Sequence, residues 1–222
     1  MAFSKIKQPK SFTQIAYTEI KNAMINHSIA PGQTIFERDL SEKLGISRTP
    51  VREAIQQLEM EGWVKSIPRK GIYVNDISIK DVEEVLQLRK ANEVLVLELV
   101  TSRITEEEIS TLEEMYITQR EISDIRSFIS SDTNFHIYLA ELSGNKRLVQ
   151  LMKTLSDQIH WFGIQALYQL GRSDKALKEH GQIVEAIKNK NMDQARGAIL
   201  EHIEKTGVAI LSSLNKLGEE NL

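Results

Sequence analysis

The sequence predicts a mainly α-helical protein in two parts: an N-terminal winged helix-turn-helix domain over residues 1–76 and an all-helical bundle over 77–222. In the first part, short apolar-periodic segments are separated by glycine and proline and followed by two β-prone runs. Beyond residue 76 the apolar spacing is helical throughout. Residues 1–75 carry 11 Lys and Arg against 7 Asp and Glu, whereas the remainder carries 17 against 24. The basic first part is therefore the one expected to face a polyanion.

The composition sets the class of protein. The chain has 222 residues, of which 41% are hydrophobic and 27% charged, as in ordinary globular proteins. It has no cysteine, which excludes disulfides and thiolate metal sites and fits a reducing compartment. The N-terminal segment lacks the apolar core of a secretion signal, and no apolar run is long enough to cross a bilayer. The sequence thus predicts a cytoplasmic protein with no membrane partner.

The first part contains three predicted helices and a hairpin. The first helix lies in SFTQIAYTEIKNAMINHS, and the second, ERDLSEKLG, stops at Gly45. The third begins in SRTP, where Ser47 or Thr49 can cap the free amides and Pro50 has no amide to lose. It runs to Gly62. Two β-prone runs, WVKSI and GIYVN, then predict a small hairpin whose tip, PRK, is basic.

Two helices joined by a tight turn form a helix-turn-helix, and the following hairpin makes it winged. In this motif the N-terminal end of the second helix enters the DNA major groove. There Arg48 and Arg52 could reach guanine or phosphate, and Thr49 could contact the backbone or a thymine methyl. Arg38 would lie against the phosphates, and Gly71 in the wing would let the backbone approach a groove closely. Because the positive end of a helix disfavours cations, the arginines indicate an anion outside the protein.

A solvated charged face on a small three-helix unit is the alternative interpretation. In that case Arg52 would pair with surface carboxylates such as Glu59. The ordered combination of turn, cap, helix and basic wing favours DNA binding over this alternative.

The segment FERDLSEKLGISRTPVREAIQQLEMEGWVKSIPRKGIYV closely resembles the DNA-binding domain of the GntR family of bacterial transcription regulators. The string SRTPVREAI…L…EGWV is highly specific to that family. The resemblance implies a homodimer that binds double-stranded DNA at a short palindromic operator. It also implies DNA contacts at Arg38, Arg48, Thr49, Arg52 and Gly71, all of which are present.

The second part has about six predicted helices, near 79–102, 105–121, 124–142, 146–170, 173–189 and 192–217. Asp132 and His136 are four residues apart and share a helix face, which apolar neighbours make the inward one. His180 and His202 align with apolar residues of two later helices. Four inward nitrogen and oxygen donors could enclose one divalent ion, most simply zinc, with nickel or manganese as alternatives. Taken singly, each histidine could instead be a satisfied core residue.

The first helix of the bundle adds a cation. Arg89 follows its apolar repeat, and Glu93 lies one turn further on. An inward arginine suits the bidentate capture of a carboxylate. An internal pair between Arg89 and Glu93, without any ligand, is the alternative.

Residues 79–217 resemble the ligand-binding domain of the FadR branch of the GntR family, the FCD type that contains a metal. The resemblance rests on an aspartate and a histidine in one helix and single histidines in two later ones. It implies that a small organic acid binds with its carboxylate on or beside a metal, assisted by Arg89. The metal would be held by Asp132, His136, His180 and His202. Six helices suggest the shorter VanR-like subgroup.

These observations predict a ligand-responsive transcription regulator, most often a repressor in this family, and no enzymatic activity. A small carboxylate would change the spacing of the two DNA-binding domains in a dimer. A regulator for which the divalent ion itself is the signal is the first alternative. A metal-dependent enzyme is the second, disfavoured because no free general base accompanies the four donors.

Overall fold

The computed structural model describes residues 11–167, 169 and 171–220. The chain divides into two units, Met1–Ile77 and Ser78–Leu222. The described part is mostly helical, as the sequence predicts. In the first unit the elements are α1 (Phe12–Ile25), β1 (Thr34–Ile35), α2 (Glu37–Leu44), α3 (Arg48–Met60), β2 (Val64–Ile67) and β3 (Gly71–Val74).

The helix-turn-helix consists of α2 and α3. Helix α2 ends at Gly45, whose φ of 66° is the left-handed conformation that favours glycine at a helix C-terminus. Ser47 occupies the N-cap position of α3, but its side chain makes no capping hydrogen bond. The core of the motif is formed by Val51 and Ile55 of α3, which are buried, whereas Leu44 is only half-buried.

Helix α1 packs against α3 and completes this small core. It buries Ala16, Ile20 and Met24, which follow one another at four-residue spacing. Ile15 of the same helix is exposed and lies outside this core.

The wing is a three-stranded antiparallel sheet in the order β1-β3-β2, rather than the two-stranded hairpin that the sequence predicts. The additional strand β1 has only two residues and pairs with β3, so its apolar pattern is too short to detect. Gly71 is the first residue of β3 and directly follows the turn at the wing tip. It is paired with Ile67, and its φ of 127° favours glycine there.

The second unit contains six helices within the described residues. They are α4 (Ile79–Val100), α5 (Glu106–Arg120), α6 (Ile125–Leu142), α7 (Lys146–Leu167), α8 (Arg172–Lys188) and α9 (Met192–Glu220). These correspond to the six predicted helices, although the predicted end of the fourth, near residue 170, lies partly outside the described residues. Two of them begin with reciprocal capping boxes, Ser78 with Asp81 for α4 and Thr105 with Glu108 for α5.

Helices α4 and α8 both pack on α9, and α6 packs on α4, α5 and α7. The core between them is built from large aliphatic side chains such as Leu97, Leu112, Ile183 and Ile199. This packing directs one face of α6, α8 and α9 into the same interior. No helix of the described residues is both long and apolar enough to cross a membrane.

Candidate functional site

Four potential metal ligands from three helices converge in the second unit. Asp132 and His136 come from α6, His180 from α8 and His202 from α9, and one ligand atom from each lies within 4.8 Å of the others. The three imidazole rings have centroids 4.7–5.4 Å apart. Each histidine is at most 1% exposed. The structure therefore brings together all four residues that the sequence marked as candidate ligands.

The tautomers of the histidines are set from outside the cluster. Each imidazole is held through Nδ1 by a different outer partner: His136 by Glu93 (2.6 Å), His180 by Gln119 (2.7 Å) and His202 by Glu179 (2.9 Å). An ionised carboxylate can only accept, so Nδ1 donates and Nε2 keeps its lone pair in His136 and His202. Outer partners of this kind are typical of histidines that bind metals.

The buried Nε2 atoms of the three histidines indicate what kind of ligand the cluster would bind. Within the described residues, the buried Nε2 atoms of His136, His180 and His202 have no hydrogen-bond partner. His180 Nε2 lies 3.2 Å from Asp132 Oδ1 and could donate to it only if the ring were protonated, because Nδ1 carries the proton donated to Gln119. Buried polar atoms are nearly always paired, so three orphaned acceptors beside one carboxylate fit a bound divalent cation.

The electrostatics of the cluster agree with this chemistry. Burial lowers the pKa of His136, and burial together with the neighbouring imidazoles holds the pKa of His202 well below its usual range. Both rings are therefore neutral at pH 7, as metal ligation requires. Burial opposes ionisation of Asp132, but the surrounding histidines outweigh it and hold the pKa of this carboxyl well below its usual range.

Arg89 lies behind His136. Its side chain is buried, and its Nε donates to Glu93 Oε1 at 2.5 Å, while Glu93 Oε2 accepts from His136. Burial raises the pKa of Glu93, but His136 and Arg89 together lower it to about 2. Because His136 is neutral at pH 7, the guanidinium of Arg89 is the charge that keeps Glu93 ionised. The internal pair considered as an alternative is thus present, and it continues to a candidate ligand.

The outer partners Gln119 and Glu179 and a second buried arginine, Arg172, were not singled out in the sequence. Arg172 Nη2 donates to Glu179 Oε2 at 3.2 Å and to Thr206 Oγ1 at 2.9 Å. Arg172 lies in the segment LGRS, which predicts a helix boundary. Because arginine at a helix boundary is usually exposed, the sequence did not indicate that this side chain faces inward. The seven-residue spacing from Arg172 to Glu179 places both on one face of α8 and is the signal that could have found it.

The candidate DNA contacts lie on exposed parts of the first unit. Arg48 is the first residue of α3, Thr49 follows it, and Arg52 lies one turn further on; all three are exposed, as is Arg38 on α2. Gly71, in β3, is half-buried.

Arg52 is already paired in this surface. Its Nε and Nη2 each donate to the carboxylate of Glu37 at 2.9 Å, and these hydrogen bonds lower the pKa of Glu37. The alternative interpretation named Glu59 as a surface partner of Arg52. Arg52 does pair with a carboxylate, but with that of Glu37, whereas Glu59 accepts from the backbone N–H of Ser66. Arg38 pairs with Glu42 one turn along α2, at 3.0 Å. The pair with Glu37 thus connects α3 to the first residue of α2 on the exposed surface of the motif.

Comparison with protein families gives two matches. Residues 12–74 match the family described as bacterial regulatory proteins, gntR family, and residues 84–205 match the FCD domain. The first match covers the winged helix-turn-helix, and the second covers the helices that contribute the histidine cluster.

Similar proteins are transcription regulators. The HTH-type transcriptional regulator YdhC of Bacillus subtilis is 32% identical over 202 residues, which cover 89% of this chain and 90% of the relative. The HTH-type transcriptional repressor RspR of Escherichia coli is 25% identical over 221 residues, covering 98% and 95%. The fold is similar to that of Escherichia coli McbR/YncC, with a TM-score of 0.77 and 19% identity over 92% of this chain and 99% of that one.

Proposed function

The chain belongs to the GntR family of bacterial transcription regulators and carries an FCD domain, and from this premise we propose that it is a repressor controlled by a small organic acid. The acid would bind at a metal-containing site in the second unit. The observation that carries this proposal is the convergence of three orphaned Nε2 atoms on Asp132.

The proposed DNA contacts are made by the exposed end of α3 and the wing. Arg48 and Arg52 would reach base edges or phosphates in the major groove, Thr49 and Arg38 the backbone, and Gly71 would permit a close approach of the wing. Arg52 is supported in this role by its pair with Glu37, which restricts a long side chain before DNA is bound.

Asp132, His136, His180 and His202 would hold the ion. Three imidazoles and one carboxylate suit zinc, and they also suit nickel or manganese. A bound divalent cation supplies a Lewis-acidic position for a carboxylate oxygen. Arg89 would assist by keeping Glu93 ionised, so that His136 presents Nε2 inward, and by adding positive charge near the acid.

A homodimer is proposed, since a palindromic operator needs two DNA-binding domains. Support comes from α4, where Leu88, Leu95 and Leu99 are 51%, 41% and 36% exposed. Their spacing of seven and four residues places them on one side of the helix. An apolar stripe of this kind is suited to pairing with a second copy of the chain.

The proposed control follows from dimer geometry. An acid that binds one arrangement of α6, α8 and α9 better than another shifts the population of dimers. Half-sites have a fixed separation, so a dimer of different spacing binds the operator less tightly although its arginines are unchanged. Acid and operator must then weaken each other's binding by the same factor.

The test uses the full-length chain with zinc bound. An operator fragment is first selected from a random duplex library, and its affinity is then measured by fluorescence anisotropy with and without a panel of short organic acids. We expect at least one acid to weaken operator binding by about tenfold, within the usual range of allosteric coupling. If no duplex is preferred over random DNA, or no acid changes the affinity, the proposal is wrong.

A second candidate, in which the ion itself is the signal, is favoured by the burial of the cluster. An ion bound there would tie α6, α8 and α9 together without any organic ligand. Zinc added to metal-stripped protein, with no acid present, would then change operator affinity reversibly. An unchanged affinity eliminates the metal sensor and leaves the acid-controlled regulator.

A further inference from the structure

Arg172 is a buried cation beside the histidine cluster that neither the DNA contacts nor the proposed ligand set uses. It is 7% exposed, and its two Nη groups donate to Glu179 at 3.2–3.3 Å. Glu179 in turn accepts from His202 Nδ1. Arg172 is thus connected to a candidate metal ligand through one shared carboxylate.

Arg172 lies on the boundary of two spaces in the second unit. One is a cavity of about 50 Å³ with Asp132 and His202 in its wall, and Arg172 lines it. The other is a groove of about 840 Å³ between α8 and α9, which Arg172 also lines. A cavity of the smaller size holds a few water molecules, so it has room for a carboxylate head but not for a long ligand.

The groove is lined by charges of both signs. Its cations are Arg172, Lys175, Lys178 and Lys205, and its carboxylates are Glu179, Glu201 and Glu204. Glu179 pairs with Arg172 and Glu201 with Lys205, so the two lysines of α8 leave a small excess of positive charge that favours anions. Arg172 is part of both linings, so its guanidinium is within reach of an anion in either space.

We propose that Arg172 forms a second anion subsite, so that the acid sensed by this chain is a short dicarboxylate. One carboxylate would lie in the inner cavity beside Asp132 and His202, and the other would accept a hydrogen bond from Arg172 Nε on the groove side. This inference rests on the proposed function, because it presupposes an acid at the metal-containing site. Glu179 and Thr206 use the Nη groups, so the Nε–H of Arg172 remains as a donor in the planar fork that suits carboxylates.

Arg89 does not fill this role. It lines neither the inner cavity nor the groove, and its guanidinium lies behind His136 rather than His202. The two arginines therefore have different roles: Arg89 acts through Glu93 on the orientation of His136, and Arg172 would bind the distal carboxylate.

The subsite is tested by isothermal titration calorimetry on the full-length, zinc-loaded chain. The probes are malonate, succinate and glutarate, each compared with the monocarboxylate of the same length: propionate, butyrate and valerate. We expect one dicarboxylate to bind at least about tenfold more tightly than the monocarboxylate of the same length, because one hydrogen bond to a charged group contributes about this much affinity. Arg172→Gln should remove this preference, so that a dicarboxylate and the monocarboxylate of the same length bind with equal affinity. A loss transmitted through Glu179 and His202 would affect both acids alike and leave their ratio as the readout.

Arg196→Gln, which removes an exposed arginine of α9 outside the groove, is the matched control and should keep the preference. Arg172→Lys keeps the charge beside Glu179 without the planar fork and should reduce the preference, which provides a second variant if Arg172→Gln does not fold. Equal binding of mono- and dicarboxylates by the unsubstituted chain overturns the subsite alone. A preference that survives in Arg172→Gln also overturns it. Absence of binding by all six acids overturns the subsite and the proposed acid-sensing function together.

Discussion

Glu93 Oε2 accepts a hydrogen bond from His136 Nδ1 at 2.6 Å, although the two residues belong to different helices. The same relation recurs between Glu179 and His202 at 2.9 Å. In each case a buried arginine neutralises the carboxylate, Arg89 in the first and Arg172 in the second. Two arginine–glutamate–histidine chains therefore fix the direction in which the imidazoles present Nε2.

Replacing Glu93 by Gln should weaken metal binding by about 10–100-fold, the usual effect of removing an outer partner of a ligating histidine. The amide can present either a donor or an acceptor to Nδ1, so the tautomer is no longer enforced. Zinc affinity is measured by competition with a chromogenic chelator. Glu98→Gln, at an exposed position of the same helix, is the control and should bind zinc as the unsubstituted chain does. Equal zinc affinity in Glu93→Gln would contradict the assigned role.

The ligand set is tested by His180→Ala. We expect the purified variant to lose stoichiometric metal, because one of four donors is removed, and to remain folded. Metal content is measured by mass spectrometry and folding by circular dichroism. His27→Asn is the control, since His27 lies in the first unit at a φ of 54° that asparagine tolerates. Full metal occupancy in His180→Ala would remove this histidine from the site.

The metal-free chain should lose stability as the pH falls below about 6.5. In the unfolded state His136 and His202 take up protons near that pH, whereas in the folded state burial lowers the pKa of both. The unfolded state then binds more protons, so the free energy of unfolding decreases as the pH decreases toward the folded-state values. Urea denaturation of the chelator-treated chain at about pH 7.5 and about pH 5.5 measures this change. Equal or greater stability at the lower pH would contradict it.

The candidate ligands could be predicted from sequence because helical periodicity reports which side of a helix faces inward. Asp132 and His136 share a face by their spacing, and His180 and His202 align with buried aliphatic residues of their own helices. Their convergence on one point depends on how α6, α8 and α9 pack, which spacing within single helices does not determine. The resemblance to the FCD type supplied that step.

Two of the residues that were missed act between helices. Gln119 reaches His180 from α5, and Glu37 reaches Arg52 from α2, so neither pair leaves a pattern along the chain. Arg172 stands at a helix start, where an arginine is usually solvated. Strand β1 of the wing was not predicted for a different reason: a strand of two residues is too short to show the alternation of apolar and polar residues.

The dimer is tested through the exposed leucines of α4. Leu95→Glu places a carboxylate in the apolar stripe. Association through this face would bury that charge without a partner, which is unfavourable. We expect the variant to run as a monomer at micromolar concentration in light scattering while keeping its helical content. Val208→Glu alters an exposed apolar residue of α9 outside the stripe and should leave the mass unchanged. A dimeric Leu95→Glu variant would move the interface to another surface.

The DNA-binding surface is tested by Arg52→Ala. Loss of its contact with a base should reduce specific operator affinity by about 1–3 kcal/mol and relax sequence preference at one position of each half-site. Non-specific binding should weaken much less, because the other basic residues of the motif and wing remain. Anisotropy titrations with the selected operator and with random duplex, at one salt concentration, separate the two effects. Arg120→Ala, at an exposed position of α5 in the second unit, is the control and should affect neither. If Arg52→Ala keeps its discrimination between the two duplexes, α3 does not read the bases through this residue.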